Sequence, residues 1–118
     1  MTLQDTLSEI DHLDDEQREC IENCFEAAAA CEWCADACAG EGEGMAECIR
    51  LCRDVADHAS LHARFMARDS GYSSKMAEDC AELCQECADE CSQHDNDHCQ
   101  LCADVLEECA ESCRSMAA

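Results

Sequence analysis

Residues 80–91 read Cys80-Ala81-Glu82-Leu83-Cys84-Gln85-Glu86-Cys87-Ala88-Asp89-Glu90-Cys91, and their spacing decides the fold. The cysteines recur at intervals of four, three and four. An α-helix advances about 100° per residue, so such positions share one face, with neighbouring Cβ atoms ~5 to 6 Å apart. The intervening residues are mostly acids or amides and belong on the opposite, solvated face. This segment is therefore a helix with a stripe of thiols along its buried side. The same spacing recurs through the chain, which carries 15 cysteines in 118 residues.

The composition supports helices alone. There is no proline, only four glycines, and the aromatic residues are two Phe, one Tyr and one Trp. Ala, Glu, Cys and Leu dominate, which disfavours sheets. A core so short of large apolar side chains must be filled by Ala, Leu, Met and Cys, the last packing as a small hydrophobe while protonated. One domain is expected from the length.

The punctuation of the chain divides it into a leader and four longer helices. Leu3, Leu7 and Ile10 recur at helical spacing, which predicts a short amphipathic helix over 2–12 covering one end of the molecule. Asp14 with Gln17 resembles a capping box and starts the first long helix, which runs to about Ala39 before Gly40-Glu41-Gly42-Glu43-Gly44 breaks it. The second is expected from about Met45 to Asp69. The turn Ser70-Gly71-Tyr72-Ser73-Ser74 follows, with Ser70 or Ser73 as cap of a third helix reaching about Gln93. His94-Asp95-Asn96-Asp97 makes the last turn, and the fourth helix ends near Met116. Short connections make consecutive helices antiparallel neighbours. The expected organisation is a short N-terminal helix in 1–13 and, over 14–118, an all-α, up-down-up-down four-helix bundle.

Helical phase then selects the inward positions. The first long helix presents Cys20, Cys24, Ala27, Cys31, Cys34 and Cys38, all within about 60° of one line. The second presents Met45, Cys48, Cys52, Val55, Ala59, His62 and Met66, with Leu51 and His58 at the margins. Cys80, Cys84, Cys87, Cys91 and His94 share the third stripe with Met76, and Cys99, Cys102, Leu106, Cys109 and Cys113 form the fourth. Four such stripes facing inward make a tube lined with sulfur.

Charge removes several classes of partner. The chain carries 29 acidic against seven basic residues, a formal net charge of −22, with Lys75 its single lysine. Nucleic acid and anionic membrane surfaces both demand clustered Lys and Arg and are excluded as partners. An acidic shell ordinarily serves solubility, and its near lack of lysine also suits a high-salt interior. The N-terminus lacks a basic region followed by an apolar stretch, and no segment has the length and hydropathy of a membrane span, so a cytoplasmic location is expected. Thiols stay reduced in that compartment, and an odd count of cysteines speaks further for metal or redox work over a disulfide framework.

Six pairs have the spacing CxxxC: Cys20 with Cys24, Cys34 with Cys38, Cys48 with Cys52, Cys80 with Cys84, Cys87 with Cys91, and Cys109 with Cys113. A disulfide across one turn is disfavoured, since it needs Cβ atoms about 3.8 Å apart. Two sulfurs one turn apart converge instead on a soft d¹⁰ ion such as Cu(I). Three CxxC pairs, Cys31 with Cys34, Cys84 with Cys87 and Cys99 with Cys102, extend the ladder without resembling zinc knuckles, which offer four ligands as an isolated tetrahedron. Charge also favours copper. One Cu⁺ per thiol replaces one proton, whereas each tetrathiolate zinc centre would bury a net −2. Zinc held by two thiolates plus His, or cadmium or silver on the same sulfurs, stays open on these grounds.

The Cys-striped pattern, including Cys48-Ile49-Arg50-Leu51-Cys52-Arg53-Asp54, the segment 80–91 and His98-Cys99-x-x-Cys102, resembles the copper storage protein family in its cytosolic branch, over residues of about 15 to 116. The resemblance implies a four-helix bundle holding many Cu(I) ions along its axis, assembly into oligomers, and all fifteen cysteines as ligand candidates. It also implies copper uptake at an open end carrying histidines or methionines, which His94 and His98 match; a copper chaperone or efflux system is a candidate exchange partner. This chain departs from densely thiolated relatives at Val55, Ala59, His62 and Leu106, so a lower capacity and a sulfur-poor middle are expected, with the clusters continuous or divided. His62 is inward and a ligand candidate, although an inward His is more often a hydrogen-bonded core residue. His12 and His58 are expected to be packing or solvated residues. Met66, Met76 and Met116 should gather at the end opposite His94, as core residues or soft ligands, with Met45 at the His94 end. No thiol stands apart with a base and a cleft, so no enzyme is expected. The rival readings are a zinc or cadmium buffer of the metallothionein kind, an iron–sulfur protein, and a structural bundle whose cysteines are only small core residues.

Overall fold

The structure is a computed structural model that describes residues 1–117. Five helices follow one another: α1 (Leu3–Ser8), α2 (Asp15–Ala39), α3 (Ala46–Ala67), α4 (Ser73–Ser92) and α5 (Asp97–Met116), and no strand occurs among the described residues. The four long helices form a closed ring, α2 packing on α3, α3 on α4, α4 on α5 and α5 back on α2, as an up-down-up-down bundle requires. The molecule measures 46 × 31 × 17 Å.

The helix starts and stops have identifiable causes. The Asp14 carboxylate accepts from the Gln17 amide N–H at 2.8 Å while the Gln17 side chain accepts from the Asp14 N–H at 2.8 Å, the reciprocal cap expected from the sequence. α2 ends at Ala39, and Gly42 and Gly44 take φ of 88° and 96° in the turn that follows, values that suit glycine alone. The leader helix is shorter than expected. Thr2 and Asp5 cap it reciprocally, but after Ser8 the chain tightens into successive i→i+3 turns, Ile10 N–H to Leu7 C=O and Leu13 N–H to Ile10 C=O. Those turns bury Leu7 and Leu13, and the Arg18 guanidinium donates to the carbonyls of Leu7 and Ile10.

α3 stops two residues before the expected Asp69. Asp69 adopts a left-handed φ of 54°, and the Ser70 N–H reaches back to the Phe65 carbonyl at 3.0 Å, closing the helix end. Neither expected serine caps α4: Tyr72 occupies the cap position without a side-chain bond, the Ser70 hydroxyl accepts from the Tyr72 N–H, and the Ser73 hydroxyl is buried without a partner. The inward stripes lie where helical phase places them. All fifteen cysteines are buried, together with Ala27, Val55, Ala59, Met45, Met66, His62 and Leu106. Met76 and His94, at the ends of the α4 stripe, are half-buried. α1 and the turn after it lie at the end where α3 stops, with the His12 ring against the Met66 carbonyl at 3.1 Å. α1 covers that end, the closed one, and the α2–α3 and α4–α5 turns make the opposite end, called the mouth from here on.

Candidate metal centre

The sulfurs assemble across helices more than along them. Cys31 of α2 meets Cys102 of α5 at 3.6 Å, Cys48 of α3 meets Cys91 of α4 at 3.6 Å, and Cys52 meets Cys87 at 3.7 Å. At the closed end Cys20 lies 3.9 Å from Cys113, and Cys24 lies 3.8 Å from Cys109. Within helices, the CxxxC partners at Cys34–Cys38, Cys80–Cys84, Cys87–Cys91 and Cys109–Cys113 approach to between 3.8 and 4.0 Å. These separations suit sulfurs around a shared ion: with metal–sulfur bonds of about 2.3 Å, trigonal or tetrahedral ligands stand ~3.8 to 4.0 Å apart. They are far from the covalent S–S length of about 2.0 Å, and every thiol is free.

The network falls into two groups. Towards the mouth lie Cys31, Cys34, Cys38, Cys48, Cys52, Cys87, Cys91, Cys99 and Cys102; towards the closed end lie Cys20, Cys24, Cys80, Cys84, Cys109 and Cys113. Between them along the helices sit Ala27, Val55, Ala59 and Leu106, all buried. No hydrogen bond between sulfurs joins the groups among the described residues. The CxxC spacing proves to be the place where the division is made. Cys84 turns to the closed-end group and Cys87 to the mouth group, so this pair does not converge on one ion.

Several sets of ligand atoms lie within 4.8 Å of one another: Cys24, Cys80, Cys109 and Cys113; Cys34, Cys38, Cys48 and Cys99; Cys34, Cys48, Cys52 and Cys91; Cys31, Cys52 and Cys102. Shared members make them overlapping sites, so ions bound at adjacent sets would be bridged by common sulfurs.

The histidines separate by position. His62 is wholly buried in the closed-end group, its Nδ1 3.5 Å from Cys24 and 3.7 Å from Cys113, while its Nε2 has no partner. With Cys20, Cys24 and Cys113 it makes a fifth compact set. His98 stands at the mouth, its Nδ1 3.5 Å from both Cys34 and Cys99 and 3.9 Å from Cys38. Its Nε2 faces both carboxylate oxygens of Glu41 at 3.0 Å, and Trp33 packs edge-on against the ring. His94 does something else: its Nε2 pairs with Glu90 at 2.8 Å on the rim. His58 is half-buried beside the core, as expected. Glu41 and Asn96, which donates to Glu41 at 3.0 Å, were not legible as site residues. The one signal was the placement of Glu41 between glycines in the turn beside the histidines, and an acidic chain offers many such glutamates.

The thiols are not equivalent in acidity. Burial pushes the Cys48 thiol well up and Cys99 to about 11. Cys24 and Cys102 are raised chiefly by hydrogen bonds to Cys109 and Cys31. Other sulfurs receive hydrogen bonds from several thiols and are held low: Cys91 at about 4 by Cys102 and Cys34, and Cys113 at about 3 by Cys109 and Cys20. Cys52 and Cys80 are lowered in the same way, by Cys102 and Cys109 first. Burial opposes charging His62, but the neighbouring sulfurs of Cys113 and Cys80 prevail and raise it to about 9.

A chain so built has close relatives of known structure. The family model described as copper storage protein matches residues 13–118. The Cu(I)-bound copper storage protein BsCsp3 superimposes with a TM-score of 0.84 at 40% identity, covering 88% of this chain and all of that one. Copper-free Csp3 from Bacillus subtilis gives 0.82 at 43% identity, covering 85% and 97%. The copper storage protein Ccsp from Streptomyces lividans, loaded with 10 copper equivalents, gives 0.86 at 31% identity and covers 98% of both chains. A second structure of a Streptomyces lividans copper storage protein, described as cytosolic and holding five coppers, gives 0.83 at 33% identity, covering 87% and 92%. No curated protein sequence matches the chain significantly. Matched to the family model from Leu13 onward and sharing the helical bundle of these relatives, the chain belongs to the copper storage protein family.

Proposed function

We propose that this protein stores Cu(I), holding many cuprous ions on its fifteen core thiolates. One observation carries the reading: every cysteine is buried, and sulfurs from facing helices meet across the bundle at separations that suit a soft, three-coordinate ion. Filling by Cu⁺ releases a proton from each thiol that still carries one, and each ion brings a single positive charge to the interior. Several divalent tetrathiolate centres would each bury a net −2, beneath a surface already at −22.

In this reading the mouth group and His98 receive copper first, with His94 on the rim beside them, and the closed-end thiols with His62 as a further donor fill afterwards. The role is storage and sequestration, with no catalytic step assigned to any residue. The cytoplasm is the proposed location, since a reducing compartment keeps thiols available to metal, and no helix is long and apolar enough to cross a membrane. A copper chaperone or efflux system is the proposed exchange partner. Self-association is part of the proposal, and Phe25 and Leu61, exposed on α2 and α3, supply apolar surface for it.

The test is titration of anaerobic, reduced protein with Cu(I) against a strong competing chelator. Storage predicts uptake of many equivalents with loss of thiol reactivity in parallel. Saturation after one or two equivalents overturns it. Zinc buffering would show as comparable Zn²⁺ uptake that Cu(I) fails to displace.

A further inference from the structure

We propose that Cys34, Cys38, Cys99 and His98, with Glu41 behind the imidazole, form a Cys₃His site at the mouth for one divalent tetrahedral ion of the zinc type. The inference builds on the storage reading, because it assigns a second metal class to sulfurs that copper must pass.

The geometry is a nearly complete tetrahedron before any ion arrives. The three sulfur–sulfur edges are each 3.8 Å, and the three edges from His98 Nδ1 are 3.5, 3.5 and 3.9 Å. With zinc–sulfur bonds of about 2.3 Å and zinc–nitrogen bonds of about 2.1 Å, tetrahedral edges would be ~3.8 Å between sulfurs and ~3.6 Å from sulfur to nitrogen. Cu(I) in this protein has many two- and three-sulfur positions to choose from. Four converging donors of two kinds are what a d¹⁰ divalent ion prefers.

Glu41 supplies the outer partner such sites use. Its carboxylate takes the Nε2–H of His98 and is itself held by the Asn96 amide at 3.0 Å. Because Nε2 carries the proton, the Nδ1 lone pair is the one aimed at the sulfurs, the arrangement of a carboxylate–histidine–zinc triad. Charge also singles out this set. Three thiolates and a neutral imidazole leave a divalent centre at −1, whereas the overlapping all-sulfur set that includes Cys48 would leave −2. The other histidine-containing set, around His62, lacks the outer carboxylate, because His62 Nε2 has no partner. An ion at the mouth occupies Cys34, Cys38 and Cys99 together, so it would slow copper entering behind it.

Cobalt(II), added alone to anaerobic reduced protein, is the probe. The first equivalent is expected to give the intense visible absorption of a tetrahedral thiolate-bound ion, and one equivalent of Zn²⁺ is expected to abolish it. His98→Gln should weaken that first site at least about 100-fold and Glu41→Gln about 10- to 100-fold, while His62→Leu should leave it unchanged. Circular dichroism of each variant separates a lost site from a lost fold, and Cys99→Ser, expected to shift the spectrum by removing one sulfur, serves if His98→Gln does not fold. Weak octahedral absorption only, or several equivalents indifferent to His98 and Glu41, overturns the proposal. Cu(I) titration of the same preparation keeps the two readings apart: high copper capacity without tetrahedral cobalt sinks this proposal alone. Tetrahedral cobalt with copper saturating after one or two equivalents sinks the storage reading alone.

Discussion

His62 shows what a single inward side chain can and cannot reveal. Helical phase placed it in the core, and the structure buries it completely. That its Nδ1 meets Cys24 and Cys113 while Nε2 meets nothing depends on how α2, α3 and α5 dock, which no local spacing encodes. The raised pKa of His62 means that the folded protein holds the imidazolium more firmly than the unfolded chain does, so His62→Leu is expected to lower the stability of the metal-free protein by ~1 kcal/mol in chemical denaturation near neutral pH, and less above pH 9. It should also remove no more than one ion from copper capacity. A stabilised variant would show that the orphaned Nε2, worth about 1 to 3 kcal/mol, outweighs the imidazole's bonds to sulfur. Proton release makes a second expectation. Cys48 and Cys99 are raised by burial and carry their protons at neutral pH, so copper must displace them. Apparent Cu(I) affinity at such sites should therefore fall as pH falls, by about tenfold per pH unit for each proton released. Chelator competition at two pH values checks this, and pH-independent binding would contradict it.

Among the helices, legibility followed the strength of the local signal. The Asp14 and Gln17 cap and the glycine-rich break after Ala39 were readable because each is a local contest between a few residues and the backbone. The early stop of α3 was not, since the left-handed turn at Asp69 carries no glycine to announce it. The extent of α1 was overread because Leu3, Leu7 and Ile10 keep helical spacing while the backbone after Ser8 tightens into turns that bury Leu13. Asp14→Ala should cost about 1 kcal/mol in thermal or chemical unfolding through loss of the cap. The apolar level between the sulfur groups invites a sharper experiment. Leu106→Cys puts a thiol between Cys102 and Cys109 on α5. It is expected to destabilise the metal-free protein by about 2 kcal/mol as a large-to-small change, yet to raise copper capacity by about one ion. Unchanged capacity would mean that this level is closed to metal for reasons other than the lack of a sulfur.

For the molecule as a whole, the sulfur-lined bundle was readable because four stripes at helical spacing admit one arrangement with the thiols inside, and the ring of helix contacts realises it. The division into two groups was foreshadowed by Val55, Ala59 and Leu106, but the parting of Cys84 from Cys87 required the packed helices. A net charge of −22 at close quarters makes the surface self-repelling, so added monovalent salt should raise the melting temperature of the metal-free protein, and a salt-insensitive melt would argue against that. The most direct measurement is anomalous diffraction at the copper edge from crystals of the Cu(I)-loaded protein. Copper peaks are expected inside the bundle, each bonded to two or more of the fifteen cysteines, in two runs separated at the level of Ala27 and Leu106. Peaks on the acidic exterior, or a core without copper, would contradict the account.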